Sequence, residues 1–299
     1  MNYRPLGRTA LRVSELCLGT MNFGPRTSEK ESFAILDHAL EQGVNFVDTA
    51  DQYGGALGVG TTESLLGKWL LNNKGAREKL VLATKVHEPM SEDVNDRGLS
   101  ARHIRMACEA SLKRLGVEHI DLYQMHHIDR AAPIDEIWQA MDQLISQGKI
   151  TYVGSSNFPG WMIARTNEQA SLRGRLGLVS EQSLYNLVER RAELEVLPAA
   201  QAYGLGVIPW SPLAGGLLAG PATGAADTDG SASVRRQGAQ AARLERKAQI
   251  DAFEALCDEL GETPSVVALA WLLHQPGVTS TIIGPASLAQ FKSVLKVPG

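Results

Sequence analysis

The stretch Asn45-Phe46-Val47-Asp48-Thr49-Ala50-Asp51-Gln52-Tyr53-Gly54 places a short apolar run directly before a group of polar side chains. Two later apolar runs end in the same way, one at Lys85 and the other at His126. In a barrel of alternating strands and helices, the carboxyl ends of all the strands lie on one face, and active sites are built there. The sequence therefore predicts that four polar side chains meet on that face, namely Asp48, Tyr53, Lys85 and His126.

Strand-like and helix-like patterns alternate through most of the chain. Eight short apolar runs cover residues 16–18, 46–47, 80–84, 120–125, 152–153, 178–179, 206–209 and 281–283. Stretches with apolar side chains at helical spacing cover residues 28–42, 100–115, 133–147, 160–172, 190–203, 244–260 and 264–274. Eight strands that alternate with helices close a parallel barrel more naturally than an open sheet. We therefore predict a single (β/α)8 TIM-barrel domain over residues 1–299.

The first residues form a separate pattern. Residues 3–13 resemble a β-hairpin whose turn lies near Gly7-Arg8, and we expect this hairpin to plug the barrel. A Rossmann sheet is the structural alternative, but no strand-like run is followed by Gly-x-Gly-x-x-Gly, the spacing that such a sheet uses for dinucleotides. The barrel remains the prediction.

The segment 214–242 interrupts the alternation because it consists mainly of Gly, Ala, Ser, Thr and Asp. A loop of this length inside a compact domain is usually functional or disordered. It follows the seventh strand on the face that would hold the site. We expect either a lid over that face or a segment that lacks order without cofactor, and the sequence favours neither.

Composition excludes several classes of function. The net charge of −4 comes from mixed signs with no basic stripe, which argues against nucleic-acid binding. The three cysteines, Cys17, Cys108 and Cys257, form no Cys-x-x-Cys pair and are expected to be buried thiols, with no metal site. No run approaches the ~20 apolar residues that span a bilayer, and residues 1–5 contain no signal-like apolar segment. We expect a soluble cytoplasmic protein.

Eight segments of the chain, in order, resemble the aldo-keto reductase superfamily. They are Gly19-Thr20-Met21, 45–54, Ala83-Thr84-Lys85, 121–126, 153–158, 181–186, Trp210-Ser211-Pro212-Leu213 and Ile282-Ile283-Gly284. The sequences of residues 19–24 and 123–127 are most similar to those of bacterial branches that share features with potassium-channel β subunits. The resemblance covers nearly the whole chain and implies a barrel that reduces carbonyl groups with a nicotinamide cofactor.

The resemblance also implies roles for individual residues. Tyr53 would be the proton donor, Asp48 and Lys85 would tune it, and His126 would orient the substrate oxygen. The cofactor would contact Gly19, Thr20, Met21, Asp48, Ser156, Asn157, Gln182, Trp210, Ser211, Pro212, Leu213, Gly215, Ile283, Gly284, Ser287 and Gln290. The substrate pocket, for a small carbonyl compound, would be lined by Phe23, Tyr53, His126, His127 and Phe158.

The chemistry of the four residues supports this assignment. Hydride delivery to a carbonyl leaves an oxygen on which negative charge develops, and this oxygen must be stabilised and protonated. A tyrosine hydroxyl has an ordinary pKa of ~10, and a neighbouring lysine cation lowers that pKa. Asp48 would hold Lys85 in place. Glu181, at the end of a strand-like run, is expected to form a structural salt bridge.

The cofactor preference is open at this point. Many members of the superfamily place a basic residue just after the final strand, where it pairs with the 2′-phosphate of NADP. This chain has Pro285-Ala286-Ser287 there, so a bidentate charged contact is missing. We expect NADPH, with NADH as the alternative.

Two other functions are compatible with the pattern. A nicotinamide-binding regulatory subunit with little turnover would keep the cofactor site and bind a protein partner. An aldolase or isomerase would use Lys85 as a Schiff-base residue, although a lysine paired with Asp48 would be charged and therefore a poor nucleophile.

Overall fold

The computed structural model describes residues 1–220 and 230–297. The chain begins with an antiparallel hairpin of β1 (Tyr3–Pro5) and β2 (Arg12–Ser14), and the turn places Gly7 at φ +54°. A side chain at this glycine would lie 2.4 Å from the carbonyl oxygen of Val179, so the close approach of the hairpin to the barrel requires glycine here. The expected hairpin and its turn are confirmed.

Eight parallel strands then form a (β/α)8 barrel. In chain order they are β3 (Leu16–Gly19), β4 (Phe46–Asp48), β5 (Val81–Val86), β6 (Ile120–Met125), β7 (Ile150–Ser156), β8 (Leu178–Gln182), β9 (Gly206–Val207) and β10 (Thr281–Ile283). From β3 to β9 each strand pairs with the next, and β10 pairs with β3, with Ile282 opposite Cys17. The N–H of Ile282 also donates to the carbonyl of Pro209, just after β9, at 3.0 Å. These contacts close the predicted barrel.

The helices between and after the strands are α1 (Glu29–Glu41), α2 (Thr61–Asn72), α3 (Ala101–Leu115), α4 (Ile134–Ser146), α5 (Gly160–Leu172), α6 (Val196–Ala202), α7 (Gly230–Glu245), α8 (Lys247–Leu260), α9 (Pro264–Leu273) and α10 (Leu288–Val294). Side chains cap the starts of α1 and α3: Ser28 accepts from the N–H of Glu31, and Ser100 from that of His103. Such caps satisfy N–H groups that the helix leaves without partners. Within the described residues, no helix has the length and apolar character needed to cross a bilayer.

Helix α2 was missed by the sequence reading because glycines surround and interrupt it. Gly60 caps its start, and Gly67 lies in its interior. A side chain at Gly67 would lie 2.2 Å from the carbonyl oxygen of Arg114 at the end of α3. Glycine weakens a helix locally, but here it allows two helices to approach closely.

The segment 214–242 differs from the expected long loop. Ala214–Ala219 contains 3-10 turns interrupted by the non-helical backbone of Gly215 and Gly216, and Gly230–Glu245 forms α7. The many small residues of this segment predict a loop. However, Ala, Arg and Gln are frequent in α7, and these residues are strong helix formers. The remaining part of the expected lid, residues 221–229, lies outside the described residues.

Because successive side chains of a strand point to opposite faces, the hydrophobic core around the strands consists of one cluster inside the barrel and one outside it. A small cluster inside the barrel includes Val81 and Ala83 of β5, and the hairpin contributes Leu6 and Val13, which are fully buried. A larger cluster packs the outward-facing strand residues against the helices. The hairpin therefore plugs one end of the barrel. The three cysteines are free and buried, as expected.

Candidate active site

Polar side chains fill the barrel at the end opposite to the hairpin. Successive side chains of a strand alternate between two faces. On β5, Val81 and Ala83 are followed inside the barrel by Lys85, and on β6 Leu122 is followed by Gln124. This apolar-to-polar order places a buried polar layer at the carboxyl ends of the strands, where barrel enzymes hold their active sites.

A buried ion pair forms the centre of this layer. The ammonium of Lys85 donates to Asp48 Oδ2 at 2.5 Å and to the carbonyl oxygen of Thr49 at 2.9 Å. It also donates to Tyr53 Oη at 3.2 Å. Lys85 has no exposed surface, and Asp48 is 3% exposed. Tyr53 lies five residues beyond the end of β4, in the loop before α2, so the loop brings it back over the ion pair.

Burial and the nearest opposing charge shift the pKa values of Tyr53 and Lys85 in opposite directions. Burial raises the pKa of Tyr53, and the nearby Lys85 cation only partly opposes this rise. The expected lowering by lysine is therefore present as a contribution, but the net direction is upward. Burial disfavours the Lys85 cation, yet Asp48 and Tyr53 together raise its pKa above the ordinary value. At neutral pH the pair is consequently a protonated phenol beside a charged lysine.

His126 lies beside this pair and is neutral. Its ring meets the Tyr53 ring edge-on, with 5.8 Å between centroids. Burial lowers its pKa to about 2, assisted by the Lys85 cation and by two other imidazoles. Its Nδ1 has no hydrogen-bond partner among the described residues. A neutral imidazole has one N–H, so His126 can donate one hydrogen bond to an oxygen placed near Tyr53.

Two amide side chains hold the free oxygen of Asp48. Gln124 Nε2 donates to Asp48 Oδ1 at 2.8 Å and Gln182 Nε2 donates to the same atom at 3.0 Å. Gln182 was expected at the cofactor and Gln124 was not identified. The signal was available, because Gln124 lies two positions before His126 and so points to the same side of its strand.

Asn157 connects four of the predicted residues. Its Nδ2 donates to Ser156 Oγ at 3.0 Å and to the carbonyl oxygen of His126 at 3.1 Å. Its Oδ1 accepts from Trp210 Nε1 at 3.1 Å, and its backbone N–H donates to the carbonyl of Gln182 at 3.0 Å. The structure thus brings an amide, a hydroxyl and a partly exposed indole together beside His126, the types of polar group that pair with a carboxamide, although here their donors bond to one another and to backbone carbonyls.

Left-handed backbone conformations concentrate in the same region. Among the residues that the structure describes, four other than glycine have positive φ, and three of them are Asn157 (+58°), Ser211 (+53°) and Ala214 (+49°). Gly215 and Gly216 continue the run at +67° and +105°. Strained backbone of this kind clusters at ligand sites, and such turns form concavities that bind anions through N–H groups. The segment 211–216, which includes Pro212 and Leu213, therefore has a backbone suited to a pyrophosphate.

The predicted residues at the ends of β3 and β10 lie together. Asn22 Nδ2 donates to the carbonyl oxygen of Gly284 at 2.7 Å, while Asn22 Oδ1 is buried with no partner among the described residues. A side chain at Gly284 would meet nothing closer than 3.8 Å, so there is space above it. This space adjoins residues expected at the cofactor, namely Gly19, Thr20, Met21 and Ile283.

The predicted adenosine contacts are already engaged in capping α10. Ser287 Oγ accepts from the N–H of Gln290 at 3.3 Å, and Gln290 Oε1 accepts from the N–H of Ala286 at 2.8 Å. These reciprocal bonds form a capping arrangement. Contact of either side chain with a cofactor phosphate stays a prediction.

The structure brings some of the predicted substrate-pocket residues together and leaves others apart. Tyr53, His126 and His127 lie next to one another, with the rings of the two histidines stacked at 5.1 Å. Phe23 and Phe158 differ from expectation because they are buried in the outer core, at 0% and 2% exposure. Burying such large aromatic surfaces is favourable, which explains their place in the core.

Glu181 forms hydrogen bonds and, within residues 1–220 and 230–297, not the expected salt bridge. Its Oε2 accepts from Ser155 Oγ at 2.5 Å, and its Oε1 accepts from Ser183 Oγ at 2.7 Å and from the N–H of Phe158 at 3.1 Å. Burial raises the pKa of this carboxyl to about 7, although the hydrogen bonds oppose the rise. The group therefore titrates near neutral pH beside the loop that contains Asn157.

This titration predicts a pH dependence of stability. The pKa of Glu181 is higher in the folded chain than its ordinary value of 4.5. The contribution of Glu181 to the free energy of unfolding is therefore fully present below pH 4.5 and is lost as pH rises through 7. We expect the free energy of unfolding of the wild type to fall by about 2 kcal/mol more than that of Glu181→Gln between pH 5 and 8. Denaturant titrations at both pH values measure this, and parallel curves for the two proteins would contradict it.

Comparison with known proteins agrees with this architecture. A model of the Aldo/keto reductase family matches residues 15–298. The chain is 51% identical over 302 residues to the uncharacterized oxidoreductase YrpG of Bacillus subtilis, covering 99% of this chain and 90% of that protein. The chain therefore belongs to the aldo/keto reductase family of oxidoreductases, whose members generally use nicotinamide cofactors.

More distant relatives carry different names. The versiconal hemiacetal acetate reductase of Aspergillus parasiticus is 33% identical over 303 residues, covering 92% of this chain and 86% of that protein. A probable voltage-gated potassium channel subunit beta of Oryza sativa subsp. japonica is also 33% identical, over 305 residues, covering 99% of this chain and 90% of that protein. The family thus includes both reductases and proteins named as channel subunits.

Proposed function

We propose that this protein is an NADPH-dependent reductase that converts an aldehyde or ketone to an alcohol. The observation that carries the proposal is the buried Lys85 ammonium, which contacts both Asp48 and Tyr53 Oη. The similarity to proteins named as reductases supports the carbonyl as substrate class.

Tyr53 is the proton donor in this proposal. Lys85 donates to Tyr53 Oη, so the hydroxyl hydrogen is free to point towards a substrate oxygen. The raised pKa keeps the phenol protonated at neutral pH. When the proton is transferred, Lys85 is already in place to stabilise the phenolate that remains.

His126 and Asp48 position the reacting groups. The neutral imidazole of His126 donates a hydrogen bond to the same substrate oxygen, which stabilises its developing negative charge. Asp48 acts through Lys85: it balances the buried cation and is itself fixed by the two glutamine amides. Because these groups are buried and already bonded to one another, little reorganisation is needed when the substrate reacts.

A nicotinamide cofactor, when bound, would supply the hydride for reduction of the carbonyl carbon. Asn157, Ser156 and Gln182 would hold its carboxamide, and Trp210 would pack against its ring. The backbone of residues 211–216 would hold the pyrophosphate through N–H groups. Space above Gly284, beside Asn22 Oδ1, which lacks a partner in the described part of the chain, would suit another polar part of the cofactor.

The preference for NADPH over NADH is tested by fluorescence titration of the purified protein. We expect micromolar binding of NADPH with quenching of tryptophan emission, since Trp210 would contact the cofactor. Trp161, which is 50% exposed on α5, provides the control: Trp161→Phe should keep the quenching and Trp210→Phe should lose most of it. Tighter binding of NADH would contradict the preference, and binding of neither cofactor would contradict the proposed site.

A regulatory subunit is the second candidate, favoured by the similarity to channel subunits. Such a protein would bind the cofactor with negligible carbonyl reduction. A stoichiometric membrane partner in a pull-down, together with no turnover on a panel of aldehydes and ketones, would favour it. An aldolase that uses Lys85 as a Schiff base is disfavoured, because the raised pKa keeps this lysine charged.

A further inference from the structure

Two histidines and a glutamate meet at the rim of the barrel, next to the candidate active site but outside the four-residue set. His87 and Glu88 follow β5, and His127 follows β6. The pairing of Val86 with Met125 at the ends of these strands brings the two segments side by side. Tertiary structure thus assembles a group that the spacing in sequence does not reveal.

Both imidazoles direct the same ring atom at one carboxylate oxygen. His127 Nδ1 lies 2.6 Å from Glu88 Oε1, and His87 Nδ1 lies 3.2 Å from it. The three atoms all lie within 4.8 Å of one another. Four-coordinate zinc with ligands at ~2.0–2.1 Å needs ligand atoms ~3.3 Å apart, so small side-chain rotations suffice to place an ion between them.

The backbone supports a built site. His87 has φ +151°, a conformation that residues with side chains rarely adopt. Its carbonyl oxygen accepts from the N–H of Gly98 at 2.7 Å, which fixes this conformation. Strain held in this way is typical of functional positions. His127 is also held, because its ring stacks on that of His126 at 5.1 Å.

An ion would have access from solvent. His87 and Glu88 form part of the wall of a cavity of about 550 Å³ that also includes Asp129 and Glu136. His127 is an exposed residue, and His87 and Glu88 are partly exposed. Three protein ligands with solvent on the remaining side leave at least one position for water or another oxygen ligand.

We propose that His87, Glu88 and His127 form a binding site for a divalent transition-metal ion, with zinc as the ion of choice. Two imidazole nitrogens and one carboxylate oxygen suit zinc and its neighbours copper and nickel better than magnesium or calcium, which take oxygen ligands. The site includes His127, which is also predicted to line the substrate pocket, but it contains none of the predicted cofactor or proton-donor residues. It therefore does not depend on the proposed reductase function.

The test is a zinc titration of the purified protein, after removal of any affinity tag, against a chromophoric chelator. We expect one ion per chain, with affinity weakened at least ~10-fold in each of three variants: His87→Ala, Glu88→Gln and His127→Ala. His119→Ala is the matched control, since His119 is an exposed histidine that also faces a carboxylate, Asp121, at 3.6 Å. Tyr53→Phe should bind zinc as the wild type does, which separates this site from the proposed catalysis.

Cobalt provides an independent readout. Bound to nitrogen and oxygen ligands, Co²⁺ should give visible absorption bands in the wild type and in His119→Ala, and none in His127→Ala. The proposal is overturned if His119→Ala weakens binding as much as the three site variants. It is equally overturned if those variants leave the affinity unchanged or the wild type binds no ion.

Discussion

Replacing Tyr53 with Phe is expected to lower kcat for carbonyl reduction by about 10³-fold while the Kd for NADPH changes little. A positioned proton donor contributes ~10²–10⁴-fold to a rate, and phenylalanine removes only the hydroxyl. Lys85 keeps its other two partners, Asp48 and the carbonyl of Thr49, so the buried cation stays satisfied. Steady-state loss of NADPH absorbance with an aromatic aldehyde measures the rate, and tryptophan quenching measures binding.

Tyr3→Phe is the matched control for this substitution. Tyr3 is 44% exposed in the hairpin, and its hydroxyl donates to the carbonyl of Gly43. Its removal should leave kcat within about twofold of the wild type. If Tyr53→Phe retained wild-type kcat, or lost cofactor binding together with turnover, Tyr53 would not be the proton donor.

Replacing Asp48 with Ala is expected to destabilise the protein by about 3–5 kcal/mol. The change leaves the Lys85 cation buried without its counterion, and breaking one side of a buried ion pair costs about this much. It also removes the acceptor of two glutamine amides. Chemical denaturation, compared with the wild type at the same pH, gives the free energy of unfolding.

Two further variants distinguish the buried pair from a general effect of charge removal. Glu29→Ala breaks the exposed ion pair with Lys68 and should cost less than about 1 kcal/mol. The double variant Asp48→Ala/Lys85→Met should be more stable than Asp48→Ala alone, because it no longer buries an unpaired charge. Equal losses in Asp48→Ala and Glu29→Ala would contradict this account of the site.

The barrel could be predicted because each strand leaves a local signal. The runs before Asp48, Lys85 and His126 are short and apolar, and stretches with apolar side chains at helical spacing separate them. The structure confirms all eight predicted strands. Helix α2 could not be predicted, since the need for Gly67 comes from its contact with α3, a partner far away in sequence. Helix α7 was missed because its small residues suit a loop as well as a helix.

The sequence indicated which residues gather at the site, but it did not indicate the direction in which their pKa values shift. Strand ends indicated where polar groups would gather, but the net pKa direction of Tyr53 depends on how deeply the loop buries it. The same holds for Glu181, whose partners come from neighbouring strands and loops. The contact between Glu88 and His127 likewise depends on strand pairing, so the proposed metal site could not be seen in the sequence.

The most direct test of the central claim follows deuterium from the cofactor to the product. NADPH carrying two deuterium atoms at C4 of the nicotinamide ring is incubated with the protein and 4-nitrobenzaldehyde, and the alcohol is analysed by mass spectrometry and NMR. The account predicts one deuterium on the carbinol carbon in the wild type and only trace product with Tyr53→Phe. Tight NADPH binding with no labelled alcohol, from this aldehyde or from a panel of other carbonyl compounds, would contradict the proposed reductase activity.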